Sequence, residues 1–234
     1  MEQMLEFARG TLFRLCFLLM ILGLLRIMML TLWGMCRSVR KAGDTSIPYF
    51  SLINETLKWM VPLRNIFNSR GVFSLISFFF HVGLVIVPIF LLDHILLWRR
   101  GLGVGWPSLA RYIADILTVI TVASGILLLL NRIFHRNTRF LSGFIDYLLL
   151  ILILLIFITG YIASKPYNPV PYSNTMLVHV MCGNIIFVLI PFSKLAHCML
   201  FPLLRFASGV AWYFPAYTGE AVNKTLYGEE VRKI

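Results

Sequence analysis

The chain has 234 residues, 59% of them hydrophobic and only 13% charged, about half the charged share of a soluble globular domain. With a mean hydropathy of +0.84 this is a membrane protein's composition. The formal net charge of +11 does not indicate nucleic acid, because the basic residues sit at the ends of apolar runs and in their connections rather than along one soluble face.

Five runs of about 20 apolar residues have the length an α-helix needs to cross the hydrocarbon core. They predict an all-α integral membrane protein, a five-transmembrane-helix bundle in which residues 1–234 form one membrane domain. The first span, 12–36, has no small-residue cleavage site behind it and reads as an uncleaved helix, not a signal peptide. A connection, 37–71, carries Arg37, Arg40, Lys41, Lys58, Arg64 and Arg70. The second span, 72–98, holds His81, His94 and, between them, Pro88. The third, 109–131, leads into a basic connection, 132–143, with Arg132, Arg136, Arg139 and a solvated His135.

The fourth span, 144–163, has Asp146 at its start, placed to meet the helix N-terminus. In the next connection, "SKPYNPVPYSN" (164–174), three prolines forbid helix and suit a lid across one face. The fifth span, 176–204, contains His179 and His197, and the tail 205–234 is too short to fold alone.

Placing the N-terminus outside and the C-terminus in the cytoplasm puts thirteen Lys and Arg residues on the inner side against six on the outer. Cys16, Cys36, Cys182 and Cys198 are isolated, without any Cys-x-x-Cys, so c-type haem attachment, zinc ribbons and Cys-ligated iron–sulfur clusters within this chain are excluded.

An intramembrane histidine costs free energy without a partner and is a functional candidate. On a continuous fifth helix the eighteen residues between His179 and His197 make five full turns. Both imidazoles then leave one face, about 27 Å apart, close to the thickness of the hydrocarbon core. The second helix runs the opposite way and supplies His81 and His94, about 20 Å apart. His81 thus pairs in depth with His197, and His94 with His179. Two pairs at two depths suit two haems gripped axially by imidazoles. On an ideal helix His81 and His94 lie about 140° apart, and a kink at Pro88 is needed to swing His94 inward. Gly83 and Gly183 are expected to leave room for the flat macrocycle.

The stretches "FFFHVGLVIVPIF", "SGILLLLNRIF" and "LVHVMCGNIIFVLIPFSKLAH" resemble, in order and spacing, the gamma (cytochrome b) subunit of respiratory nitrate reductase. The same superfamily includes cytochrome b subunits of heterodisulfide-reductase-like complexes, among them those of sulfate reducers. The resemblance covers roughly residues 72–205. It implies a prokaryotic inner-membrane subunit with two haem b, passing electrons between a quinone pool, menaquinone as the expected carrier, and a cytoplasmic iron–sulfur partner subunit. His81 and His197 would hold the inner haem, and His94 and His179 the outer one. Further membrane or outer-side cytochrome subunits are expected as partners, and nucleic acid is not. The thirteen-residue histidine gap departs from the nitrate reductase subunit at His94, the longer connection at 37–71 argues for a different partner, and the reading leans to the sulfate-reducer or heterodisulfide-reductase-like branch.

Bis-histidine ligation leaves no open position on iron, so such haems relay electrons. Arg26, Arg132, Lys194 and Arg205 are candidates to compensate haem propionates, and Arg26, inside the first span, needs an anion or a quinone oxygen unless it snorkels. Asp93, His94, Arg111 and Asp115 are candidates for quinone contacts or proton transfer, with Tyr112 and Tyr161 able to stack or donate. The alternative reading is a haem-free anchor or small transporter subunit with a histidine proton or metal path. A transporter more often shows inverted repeats or broken helices, and the sequence suggests neither. A membrane di-iron oxygenase lacks its local His-x-x-His or His-x-x-x-His clusters here.

Overall fold

In lipid, a helix satisfies every backbone N–H and C=O within one segment, and the apolar runs of this chain take that form. The computed structural model describes residues 1–42, 47–60, 71–167, 170–212, 222, 224–226 and 228, and no strand occurs among them. Arg64 and Arg70 of the first connection, Asn168 and Pro169 of the expected lid, and Arg232 and Lys233 of the tail lie outside the described residues.

The elements in chain order are α1 (Glu2–Phe7), a π-helical turn (Ala8–Leu12), α2 (Phe13–Ala42), α3 (Tyr49–Met60), α4 (Gly71–Phe90), α5 (Leu92–Leu102), α6 (Arg111–Phe134), α7 (Arg136–Phe140), α8 (Phe144–Ala163) and α9 (Tyr172–Leu189). Two 3-10 turns (Ile190–Phe192 and Lys194–Ala196) then lead to α10 (His197–Ala211). Five segments are long and apolar enough to cross a membrane, as in a multi-pass membrane protein: Glu2–Arg40, Gly71–Phe90, Arg111–Phe134, Phe144–Ala163 and Tyr172–Phe192.

The chain forms two compact units, one of Met1–Leu19 with Pro62–Leu189 and one of Met20–Val61 with Ile190–Ile234. In the first, α4 packs on α6, α6 on α8 and α8 on α9, while α1 and the π turn lie against α9. Between apolar helices in lipid, close approach of small residues replaces the hydrophobic drive. A Cβ on Gly83 of α4 would overlap Thr121 Oγ1 of α6, and one on Gly125 of α6 would fall 2.7 Å from Leu154 Cδ2 and 3.0 Å from Phe80 Cε2. The Thr121 hydroxyl is satisfied by donating to the Leu117 carbonyl at 2.6 Å. Gly83 therefore seats a neighbouring helix and does not open room for a macrocycle, which corrects the sequence expectation. A Cβ on Gly183 would meet only Ile156 Cδ1, at 3.4 Å.

Two predicted spans are interrupted. Residues 72–98 do not form one helix: α4, with Pro88 inside it, ends at Phe90, Leu91 is extended (φ −70, ψ 129), and α5 starts at Leu92. The break falls three residues after Pro88, and the carbonyls it frees find other donors: His94 Nδ1 for Pro88, Trp106 Nε1 for Ile89 and Leu109 N for Phe90. A left-handed Gly103 (φ 75) then ends α5.

Residues 176–204 likewise do not form one helix. α9 ends at Leu189, Pro191 sits in a 3-10 turn, and Ser193 caps the next turn by accepting from Leu195 N at 3.2 Å. The five-turn arithmetic linking His179 to His197 has no continuous helix to act on.

In the second unit the expected connection 37–71 is partly helical. α2 runs on to Ala42, and α3 packs on α10 through stacked Tyr49 and Phe206 rings, 6.4 Å between centroids. A Cβ on Gly209 of α10 would fall 3.0 Å from Leu52 Cδ2 of α3.

Candidate functional site

The helix break at Leu91 exposes the end of α4, and His94, in the first turn of α5, turns back to it: His94 Nδ1 donates to the Pro88 carbonyl at 3.0 Å. From α9, His179 Nδ1 donates to the Ile156 carbonyl of α8 at 2.8 Å. A carbonyl can only accept, so each imidazole is protonated at Nδ1 and carries its lone pair on Nε2. This is the second-shell arrangement that prepares a histidine to ligate metal. The two rings lie 13° from parallel, with 6.0 Å between centroids.

Aromatic packing holds α5 at this level. Trp98 of α5 lies edge-on to Phe17 at 4.8 Å and to Phe13 at 6.0 Å, and both phenylalanines contact Phe187 of α9. Trp106 Nε1 donates to the Ile89 carbonyl at 2.8 Å, which ties the segment after α5 back to α4. Along α9 the buried Asn184 amide donates to the Ala8 carbonyl of the π turn at 3.1 Å, and Arg9 of that turn donates to the Tyr172 hydroxyl at 3.1 Å.

A charged network lies beside the pair. Arg111 Nη1 meets Asp93 Oδ2 at 3.2 Å, its Nη2 donates to the Ser164 carbonyl at 3.2 Å, and its Nε is 3.8 Å from Asp115 Oδ1. Asp115 accepts from Lys165 Nζ at 2.6 Å, and that ammonium stands 4.3 Å from the centre of the Tyr161 ring. The hydrogen bond to Asp115 raises the Lys165 pKa above its ordinary value. Asp93, Arg111, Asp115 and Tyr161 are thus brought together as the sequence grouped them, with Lys165 added. Tyr112 is exposed.

The remaining predicted residues lie elsewhere. His81, on α4 of the first unit, donates from Nδ1 to the Ser77 carbonyl at 2.7 Å and is exposed on the chain surface. His197 opens α10 in the second unit, its Nδ1 directed to the Lys194 carbonyl and its Nε2 3.8 Å from Cys198 Sγ. Arg26 is exposed on α2 with no hydrogen-bond or ion-pair partner among the described residues. Asp146 is buried, accepts from Gly143 N at 3.0 Å as a cap of α8, and lies 4.0 Å from Arg132 Nη1.

A haem held by His94 and His179 would need their rings about 6 Å apart, two metal–nitrogen bonds of about 2 Å and two ring radii of about 1 Å. The observed 6.0 Å between centroids equals that separation, and the Nδ1 hydrogen bonds leave Nε2 as the ligating atom of each ring. Sequence reasoning missed Gly160 of α8, on which a Cβ would fall 2.7 Å from His179 Cε1. Nothing in the linear sequence marks it, since the fourth span alone does not say which neighbour its glycine faces. Among the described residues no three His, Cys, Asp or Glu side chains converge as a site for a lone metal ion.

No family model matches the chain, and no solved structure matches it. It is similar to a protein of Nitratidesulfovibrio vulgaris strain Hildenborough, 30% identical over 154 residues that cover 65% of this chain and 67% of that one. The chain belongs to the family of that protein.

Proposed function

We propose that this member of that family is a dihaem b subunit of a membrane-bound respiratory complex, like the gamma-type cytochrome b subunits it resembles. The observation that carries this reading is the His94–His179 pair: near-parallel rings, 6.0 Å apart, both with Nδ1 committed to a backbone carbonyl. When bound, the outer haem would supply one-electron transfer. The chain's own part would be to commit both Nδ1 atoms to carbonyls so that Nε2 is left to ligate, to exclude water with the Phe13, Phe17, Trp98 and Phe187 cluster, and to set fixed charge beside the pair through Asp93 and Arg111.

The rest of the reading follows the resemblance. By that resemblance alone, His81 and His197 would be the ligands of the inner haem. Quinone, menaquinone as the expected type, would exchange beside the outer haem, with Asp93, His94, Arg111 and Asp115 as the candidate contacts and proton carriers. Arg26, without a partner among the described residues, would meet a propionate, a quinone oxygen or an acidic group of another subunit. The N-terminus faces out, and the basic inner connections dock a cytoplasmic iron–sulfur subunit or anionic lipid of a prokaryotic inner membrane.

The second reading, a haem-free anchor or transporter subunit, gains from one observation. Two predicted spans are broken, at Leu91 and at 190–196, a feature the sequence did not suggest and that transporters share. Haem content of the purified chain separates the two: b haem supports the first reading, and a colourless preparation the second.

A further inference from the structure

On α8, Ile156 and Gly160 are four residues apart and so share one face of the helix, one turn from each other. The His179 imidazole lies against that face. A Cβ at position 160 would stand 2.7 Å from Cε1, 3.0 Å from Nδ1 and 3.6 Å from Nε2 of the ring, so any side chain there displaces it. The displaced ring could not keep its 2.8 Å hydrogen bond to the Ile156 carbonyl. In a regular helix that same carbonyl accepts from the N–H of residue 160. Glycine thus admits the ring to an acceptor that its own backbone uses. The Thr159 hydroxyl reaches this carbonyl too, at 3.2 Å.

We infer that Gly160 and the Ile156 carbonyl form a backbone slot that fixes the tautomer and tilt of His179, directing its Nε2 toward the iron it would share with His94. Gly160 is a positioning residue for the outer haem, and in that respect the inference rests on the dihaem reading. Its chemical consequence follows from second-shell control. A strong Nδ1–H to carbonyl bond makes the imidazole a better donor, which stabilises ferric iron and lowers the midpoint potential.

The test uses the full chain in lipid nanodiscs, as wild type, Gly160→Ala, Gly183→Ala and His179→Ala. Low-spin haem signals are read by electron paramagnetic resonance with redox titration, and ring tautomers by solid-state nitrogen-15 spectra of histidine-labelled protein. Gly160→Ala is expected to lose the signal that His179→Ala loses, or to shift it to higher potential, while keeping the other haem as proof of folding. Gly183→Ala, which adds only an ordinary contact, keeps both. A Gly160→Ala spectrum and potential equal to wild type overturn the slot. If the wild type carries no haem, the dihaem reading fails and the nitrogen spectra decide the slot alone. Wild-type His179 protonated at Nδ1, with that state lost in Gly160→Ala, supports it, and His179 protonated at Nε2 in the wild type overturns it. That wild-type readout also decides the matter should the alanine variant not fold.

Discussion

His94 and His179 come from segments 85 positions apart in the chain, and their imidazoles end 13° from parallel with centroids 6.0 Å apart. Each is held by a carbonyl that belongs to another turn or helix, Pro88 for one and Ile156 for the other. If both ligate one iron, His94→Ala and His179→Ala remove the same haem, and the double variant loses nothing more. Haem per chain, measured by pyridine haemochrome, is expected to fall from two to one in all three. Losses that add in the double variant would show two separate sites.

The Lys165–Asp115 contact predicts an alkaline stability limit. The hydrogen bond to Asp115 raises the folded-state pKa of Lys165 above the unfolded value of about 10.4. The stabilisation is therefore complete below that pH and is lost as pH climbs through the folded value. Thermal unfolding in detergent from neutral pH to about pH 11 is expected to show a decline that Asp115→Asn flattens. Lys165 is 34% exposed, so solvent screening keeps the contribution of the pair under about 1 kcal/mol.

Gly83→Ala tests the seam between α4 and α6. The added methyl overlaps Thr121 Oγ1 and lies 3.2 Å from the Leu117 carbonyl, and backbone does not yield as a flexible side chain does. Overpacking of this kind costs about 1–3 kcal/mol. Unfolding in detergent is expected to lose that amount of free energy and to move to lower temperature, while Gly10→Ala, with open space at its Cβ position, leaves it unchanged.

Asp146 predicts a separate local effect. Its carboxylate accepts from Gly143 N and faces Arg132 at the start of α8. Asp146→Asn keeps an acceptor but loses the charge that complements the helix N-terminus. It is expected to cost about 1 kcal/mol in unfolding free energy without changing any haem spectrum.

Apolar length alone was enough to find the five spanning segments, and residues 144–163 carry the same bounds in sequence and structure. Hydropathy misplaced the breaks because it registers apolar length and not backbone conformation, such as the extended Leu91. Pro88 and Pro191 sit inside runs that stay apolar on both sides, so 72–98 and 176–204 read as single helices. The amphipathic α3 was hidden in a connection judged only by its charges. His94 and His179 were paired by depth on two ideal helices. The structure brings them together by another route, the break at Leu91, which dissolves the angular objection to His94. The glycines were legible only as spacers. Which of them faces a helix, as Gly83 does, and which faces an imidazole, as Gly160 does, is decided by neighbours far away in the chain.

The central claim is that paired imidazoles in this bundle clamp iron porphyrin. A dithionite-reduced minus oxidised spectrum of the purified chain, quantified by pyridine haemochrome, tests it most directly. The account predicts the α-band of low-spin b haem at two haems per chain; a chain that folds, inserts and shows no haem absorbance contradicts it.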